Sequence, residues 1–529
     1  MTGIRHIICA ILMIILCTAT GCQSKTGQDD SGSGQSPPHI TVAVYDRGTI
    51  RTPEYGTLTD NRWTEMIKKK VWEELGIEIE FASIPREADA SELAELTRNK
   101  IDIFFTYETD DFLNLVKSGA AADLSGYMNG AGASLQEQLG EEILKYGRVN
   151  GGQYAVNGIR SLTAMFCSYI RKDWLECLGI ELPVRNGVSS LTPDELMEVM
   201  IRMKDAGFCQ YPYGLVESYT GIQPIEGAFI KPESIVKEQD RAMLVGNYLI
   251  GMDGDENAFL FLNECYRRGL IRPDYYSITD NGLGESIAAG ECGFWSAAQW
   301  MYLNKGGYLT ELYDVDSEAE IWPVEICQAD GSPALYQKYS PIAAYVMVSS
   351  DCGDIPAALA YLEWCLGDEA HIMLQHGIEG EHWEYNEDDV MVPIDSYYNY
   401  KSRIDVTDLD MFLLDDPCLT GENAAAANRY TVEIWKEPRI AKQYLLSQKM
   451  AVGEGKWSPP YLDRIIESAI IYKDKIDYNT QKLIRDCIMA PEGFAAQVYS
   501  ERLKTLMEEG GRQVLYEKLR AFRHSPAVQ

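Results

Sequence analysis

An α/β architecture divided over more than one domain is what this sequence predicts, and three observations carry the prediction. Between residues 40 and 119, short runs rich in β-branched residues take turns with apolar residues spaced three and four apart, so strands and helices alternate. Strand–helix–strand order at these lengths implies right-handed crossovers and a parallel sheet. The chain has 529 residues, too many for one simple core, and a composition of 46% hydrophobic and 24% charged residues belongs to folded domains and not to a disordered chain.

Met1–Cys22 reads MTGIRHIICAILMIILCTATGC. Arg5 supplies a positive start, and Ile7 to Leu16 is an apolar run of about ten residues, too short to span a bilayer as a mature helix. Ala19-Thr20-Gly21-Cys22 places small residues directly before a cysteine. This resembles the lipobox of bacterial lipoproteins, in which the thiol is acylated and cleavage leaves that cysteine first. The resemblance implies a lipid anchor at Cys22, with an ordinary cleaved signal as the alternative. Residues 1–22 are read as that signal, and everything beyond Cys22 is expected to work outside the cytoplasm. No other stretch reaches 18 uninterrupted apolar residues. Residues 23–38, rich in Ser, Gly and Gln, read as a flexible tether.

Ile40 to Tyr45 is the first expected strand. Trp63, Met66, Ile67, Val71 and Leu75 then form a helical stripe, with Thr59 and Asp60 as N-cap candidates and Gly76 in the C′ position. On spacing, Trp63, Trp72 and Trp364 are read as core residues. Ile77, Ile79 and Phe81 alternate with glutamates in a second strand, Ala90 to Arg98 is a short helix, and Ile101 to Phe105 a third strand. Phe112, Leu115 and Val116 mark the next helix, ended by Gly119. Ligands of parallel sheets bind beyond the carboxyl ends of the strands. Tyr45-Asp46-Arg47 and Thr106-Tyr107-Glu108 fall at such ends and are the first site candidates.

A second α/β unit begins near Arg160. Met165 to Arg171 reads as a strand, Lys172 to Leu178 as a helix, and Thr192-Pro193-Asp194-Glu195 as a capping box with Pro at N1, opening a helix to Ala206. Phe259, Leu262, Tyr266 and Leu270 form another stripe. Gly290 to Trp300 turns from strand to helix, Ala343 to Val348 is a strand, and Pro356 to Leu366 a helix. No internal repeat is visible.

The formal charge of −33 repels phosphate backbones, so a nucleic-acid partner is not expected. The 32 tyrosines are an excess that suits half-wet ligand surfaces. Of 13 cysteines, those after Cys22 run from Cys167 to Cys487 without a CxxC pair, and Cys167, Cys177, Cys292 and Cys365 lie in apolar segments. They are read as buried small hydrophobes more than as a disulfide framework.

Further residues match a known family. They are Tyr45-Asp46-Arg47-Gly48 with Thr59 to Thr64, Asp102-Ile103-Phe104 before Gly119-Ala120 with Asp123-Leu124, and Ile170 to Leu175 with Leu178-Gly179. Arg268 to Pro273, Gly377 to Gly380 and Gly455-Lys456-Trp457 complete the series. In order and spacing the chain resembles the family 1 extracellular solute-binding lipoproteins, capture subunits of carbohydrate-type ABC importers, in their large Gram-positive branch. The resemblance implies a two-lobed, periplasmic-binding-protein-like (type II) clamshell with hinge crossings and a helical C-terminal region. Carried onto this sequence, the crossings lie near Tyr154 to Arg160 and Ile321 to Ile326. The first lobe then combines 39–155 with 326–395, and the second 160–320 with 396–529.

A sugar has apolar C–H faces and polar rims, so rings cover its faces while planar polar groups bind its hydroxyls. Trp295 and Trp300 align with a cleft-lining segment of maltose-type relatives, and Tyr107 follows a strand end. Arg47, Arg62 and Arg160 offer guanidinium forks for hydroxyls or a carboxylate, with surface or hinge salt bridges as the alternative. Trp383 and Trp457 lie in loops and either roof the cleft or pack as wedges.

Other chemistries find little support. HExxH, P-loop, GxSxG and Rossmann fingerprints do not occur. His371, His376 and His382 with Glu379 and Glu381 form only a loose cluster. Asp253, Asp255, Asn257 and Glu264 mimic calcium-loop positions, but Ala258 stands where the loop needs Gly. No metal, no cofactor and no catalytic residue is expected. The reading is therefore a monomeric receptor for an oligosaccharide or other small-molecule solute, anchored by lipid and serving the permease subunits of an ABC importer. An exported polysaccharide-active enzyme and a binding protein serving a signalling system are the alternatives.

Overall fold

The computed structural model describes residues 36–46, 56–85, 88–98, 100–160, 165–216, 221–230, 250–298, 308–367, 369–370, 373–374, 379–380, 383–385, 391–394, 438–451, 456–457, 462 and 464–524. In β1 (His39–Asp46), Ile40 and Val42 to Tyr45 are all buried, the signature of a strand covered on both faces. α1 (Arg62–Leu75) follows, and its N-cap is Asn61. That side chain accepts the N–H groups of Trp63 and Thr64, while the Thr64 hydroxyl accepts the Asn61 N–H. Thr59 and Asp60 are thus not the cap, because residue 61 is the one whose amide oxygen reaches two orphan donors and whose partner three residues on returns the bond. Gly76 closes the helix at φ 65°.

Trp72 is likewise no core residue. It is 49% exposed where Trp63 is 2% exposed, since the two stand about two and a half helical turns apart, on opposite faces. Trp364 is buried and donates its indole N–H to Glu74 at 2.7 Å.

The chain continues through β2 (Glu78–Pro85), α2 (Ala90–Thr97), β3 (Ile103–Thr106) and α3 (Thr109–Lys117), and later forms β4 (Val156–Ile159). It then builds β5 (Phe166–Arg171), α4 (Lys172–Cys177), β6 (Val184–Arg185), β7 (Val188–Leu191), α5 (Pro193–Asp205) and β8 (Tyr213–Gly214). The capping box of α5 is formed by Thr192 and Glu195, with Pro193 at its start. α6 (Asp255–Arg267), α7 (Asp280–Ala288), β9 (Phe294–Ala298), α8 (Tyr308–Val315) and β10 (Ile321–Ile326) follow. The return runs through β11 (Tyr336–Gln337) to β12 (Ile342–Val348) and α9 (Ile355–Leu366). α10 (Pro438–Ala451), β13 (Lys456–Trp457), α11 (Glu467–Ile488), α12 (Ala495–Leu506), a π turn (Met507–Gly511) and α13 (Arg512–His524) complete the described chain.

Two sheets result, in the orders β2-β1-β3-β12-β4 and β8-β9-β5-β10-β7-β6. Parallel pairing holds where helices connect the strands: β1 with β2 along its whole length, and β1 with β3. The sheets are mixed, however. β12 runs antiparallel to β3 and β4, and β5 antiparallel to β9 and β10. A strand that returns from the other sheet enters from the opposite end, which reverses its direction. Two passages between sheets, β4 to β5 and β10 to β12, make this a two-lobed α/β clamshell of the type II kind.

Each sheet has its own core. Phe104, Phe105, Phe112, Trp63 and Tyr361 belong to the first. The second sheet is covered on one face by Trp174, Phe259 and Leu262, with Ile484 and Ile488 of α11, and on the other by Tyr169, Leu312 and Tyr444. The nine described cysteines are free thiols: Cys167, Cys265, Cys292, Cys327, Cys365 and Cys487 are buried, but Cys177 is exposed.

Candidate functional site

β12 is antiparallel to both β3 and β4, so β1, β3 and β4 point the same way and their carboxyl ends share one edge of the first sheet. Tyr45 and Asp46 end β1, Tyr107 and Glu108 follow β3, and Arg160 follows β4. At about 4.8 Å between neighbouring strands, the β3 and β4 ends stand roughly 10 Å apart.

The aromatic part of this edge is built in layers. Tyr45 is buried and its hydroxyl donates to the Phe105 carbonyl at 3.1 Å. The Tyr45 and Phe105 rings meet edge to face at 4.6 Å, and the Tyr107 ring stands 6.0 Å from the first and 5.7 Å from the second. Tyr107 is 42% exposed. The buried pair is a rigid base, and Tyr107 is the face offered to solvent, an arrangement that presents apolar area at low entropic cost.

Glu108 stands at the N-terminus of α3, where its N–H donates to Thr106 Oγ1 at 3.1 Å. Desolvation by the surrounding protein raises its carboxyl above the usual range, and Asp111 and Asp110 add to this; Lys473 of α11 acts in the opposite direction. The side chain is exposed to solvent. Asp111 is raised for the same reasons, desolvation first and then Asp110 and Asp89. α3 is seated by Tyr345 of β12, which stacks on Phe112 at 4.3 Å and shares a 3.0 Å hydrogen bond with the Thr109 hydroxyl.

Arg160 braces the passage between the sheets. Its N–H donates to the Pro341 carbonyl at 2.8 Å, Nε donates to the Ile342 carbonyl at 3.4 Å, and the guanidinium lies 4.3 Å over the Tyr339 ring. Among the described residues it has no acidic partner, so the hinge contact is cation–π and backbone, not a salt bridge.

The structure joins Tyr45, Asp46, Tyr107, Glu108 and Arg160 along one edge and places the other candidates elsewhere. Trp295 is not in the cleft: it is 1% exposed and stacks on Tyr169 at 5.8 Å, because β9 lies inside a sheet covered on both faces. Trp383 is 5% exposed in a short antiparallel pair (Trp383–Tyr385 with Met391–Pro393), its ring edge-on to Tyr385. Trp457 pairs through β13 with β11 and packs half-buried on Ile230, Met252 and Leu335, a wedge between segments. Arg62 is exposed in the first turn of α1. Arg47, Trp300 and Cys22 lie outside the described residues.

The calcium-like run is structural. Asp255 is 1% exposed and begins α6, accepting the Gly251 N–H at 2.7 Å and the Tyr499 hydroxyl. Helix starts where a calcium loop would still be turning. Among the described residues no group of three or more His, Cys, Asp or Glu is arranged to hold a metal. Two open hollows, of about 610 and 450 Å³, are lined mainly by the C-terminal helices, around Arg485 and Val498 and around Tyr472 and Tyr516, and neither lining includes a strand-end candidate. Sequence reasoning missed Tyr339 and Lys473, because neither sits in a motif; they join the edge only through chain segments distant in sequence.

No protein-family model matches the sequence. The chain is 23% identical over 293 residues to Lipoprotein LipO of Bacillus subtilis (strain 168), a match covering 52% of this chain and 54% of LipO, so it spans about half the length of that curated relative. Among solved structures, an HMO-binding, ABC-transporter-associated solute-binding protein of Bifidobacterium longum infantis is similar with a TM-score of 0.64 at 14% identity, covering 92% of this chain and all of that one (100%). The N-glycan transport solute-binding protein NgtS of Streptococcus pneumoniae aligns with a TM-score of 0.58 at 16% identity over 93% of this chain and 99% of its own. The alginate-binding protein AlgQ2 gives 0.63 at 12% over 92% and 98%. The fold is therefore that of the solute-binding proteins. No helix among the described residues is long and apolar enough to cross a membrane.

Proposed function

We propose that this chain is an extracytoplasmic solute-binding protein that captures an oligosaccharide or sugar-derived solute between its lobes and hands it to the permease subunits of an ABC importer. It would be held by a lipid on Cys22 at the outer face of the bacterial cytoplasmic membrane, with residues 23–38 as tether. The first lobe would take 39–155 and 326–395, and the second 160–320 and 396–529. The observation that carries the reading is the shared strand edge: an exposed ring on a buried aromatic base, with a carboxylate beside it and a guanidinium two strands away, in a fold whose two sheets are joined by two passages. Such a set covers a sugar face and binds its rim. Trp300 and Arg47 are proposed as further contacts, with Arg62 near the rim.

Capture works by differential affinity: a solute touching both lobes favours the closed arrangement, and the permease would read that state. No bond in the solute is broken. Calorimetric titration with maltotriose, kestose, N,N′-diacetylchitobiose and mannobiose is expected to show saturable binding to at least one, weakened roughly tenfold by Tyr107→Ala, the scale of one aromatic contact. Absence of binding to all four, or new reducing ends after incubation with a glycan, refutes the reading.

A further inference from the structure

The hollow of about 450 Å³ on the C-terminal helices shares no residue with the strand edge, so what it binds is a question separate from solute capture. Its shape comes from one irregularity. α12 and α13 meet at the π turn Met507–Gly511, where Glu509 and Gly510 leave the helical conformation and Gly510 takes φ 132°. A residue with a Cβ is strained at that φ, and a Cβ on Gly510 would also stand 2.5 Å from the Tyr472 ring. The bare glycine thus lets a ring of α11 close against the turn. Glu509 fastens the turn to α11 by accepting the Asn479 amide at 3.0 Å, and Val514 anchors α13 in the core beneath, beside Ile466 and Tyr472. π insertions inside helices are frequent at functional sites.

The lining joins two rings to a set of uncommitted polar groups. Tyr516 is 70% exposed, and Arg512 and Gln513, four and three residues before it, are its neighbours on the surface of α13. Tyr472 is half-buried and donates its hydroxyl to Gln513 Oε1 at 3.1 Å. That bond holds the amide by its oxygen and leaves its two N–H groups for another partner. Among the described residues Arg512 has no carboxylate partner, although the chain carries 80 acidic residues. Glu508 is exposed, and Lys504 stands 4.0 Å from it, too far for a hydrogen bond. A guanidinium, an amide and a carboxylate therefore surround the two rings with both donors and acceptors on offer.

The chemistry of that set narrows the ligand. An anion meets Glu508 and a chain of formal charge −33, and a cation meets Arg512. A wholly apolar molecule would desolvate Arg512 and Gln513 and return no hydrogen bond. A neutral polyhydroxylated ring meets none of these objections, since each hydroxyl both donates and accepts and its C–H faces lie against tyrosine rings. The volume also falls within the roughly 300–1,000 Å³ of ligand sites. We propose that this hollow is a second saccharide site, in which Tyr472 and Tyr516 cover a sugar face, Arg512 and Gln513 donate to its oxygens and Glu508 accepts from its hydroxyls.

The test is fluorine NMR of the full chain carrying 3-fluorotyrosine in place of Tyr516, titrated with millimolar maltotriose, kestose, N,N′-diacetylchitobiose and mannobiose. The resonance is expected to move saturably with at least one of the four. Arg512→Ala, at an exposed position, should weaken that titration about tenfold, the scale of one hydrogen bond from a charged group, without lowering the unfolding temperature. Tyr107→Ala at the strand edge should leave it unchanged. A resonance that stays still with all four sugars, that moves with inorganic phosphate but with no sugar, or that titrates identically in Arg512→Ala overturns the inference. So does a movement lost in Tyr107→Ala, which would report solute capture elsewhere in the chain. None of these results bears on the calorimetric test of capture, so the two readings fail separately.

Discussion

Replacing Asp255 by asparagine isolates one buried ionisation that links α6 to α12. Burial pushes the Asp255 carboxyl up to about 7, against hydrogen bonds from Tyr499 and Gly251 that pull it down. The folded state therefore prefers the protonated acid, whereas the unfolded chain ionises near 4. The contribution is fully present below pH 4, declines as pH rises from 4 to 7, and is gone above 7. A displacement of roughly three pH units corresponds to about 4 kcal/mol at most. Asparagine cannot ionise. Its oxygen keeps the Gly251 N–H, and its amide faces the Tyr499 oxygen, leaving the Tyr499 hydroxyl proton without its acceptor at a cost of about 1–3 kcal/mol. Wild type should thus be the more stable of the two at pH 4.5, and the gap should close or reverse by pH 8. Urea unfolding followed by tryptophan fluorescence at four pH values between 4.5 and 8 reads this difference. Because both chains share every other titrating group, a gap that stays constant across the range refutes the reasoning.

Two smaller expectations use the same logic of burial. Trp63→Ala empties a core position and should cost about 3–5 kcal/mol in chemical denaturation, whereas Trp72→Ala on the opposite face of α1 should stay within about 1 kcal/mol; equal losses would mean the helix is rotated. Cys177 is exposed, while burial pushes the Cys292 and Cys365 thiols up to about 12. Iodoacetamide labelling of the native protein at pH 8, read by mass spectrometry, should mark Cys177 well before those two, and the reverse order would contradict the packing.

The strand–helix rhythm of residues 39–119 was legible because its elements carry local signals, such as period-two burial in β2 and a stripe ended by Gly76 in α1, and the start of α5 was legible from the reciprocal cap at Thr192 and Glu195. The carboxyl ends of β1 and β3 were legible for the same reason, since an end is known once the strand is. Tryptophan roles were harder to read. A Trp in a strand is equally compatible with a cleft wall and a covered sheet face, and Trp295 went to the latter because α10 lies across β5 and β10. The cap of α1 was misplaced by one or two residues because Thr59, Asp60 and Asn61 are all competent caps, and only the geometry of the two accepted N–H groups chooses among them.

Sequence alone determined the α/β class, the order of the elements of the first unit, and two of the strand ends that form the candidate site. These depend on interactions within a few residues, where side-chain period and backbone conformation are coupled directly. Tertiary structure alone decided that β12 reverses direction, which aligns the ends of β1, β3 and β4 on one edge, and that Tyr339 lies under Arg160 and Lys473 beside Asp110. Those contacts join residues more than a hundred positions apart, and their formation depends on how two sheets and a long helix pack together, a property that no local pattern encodes.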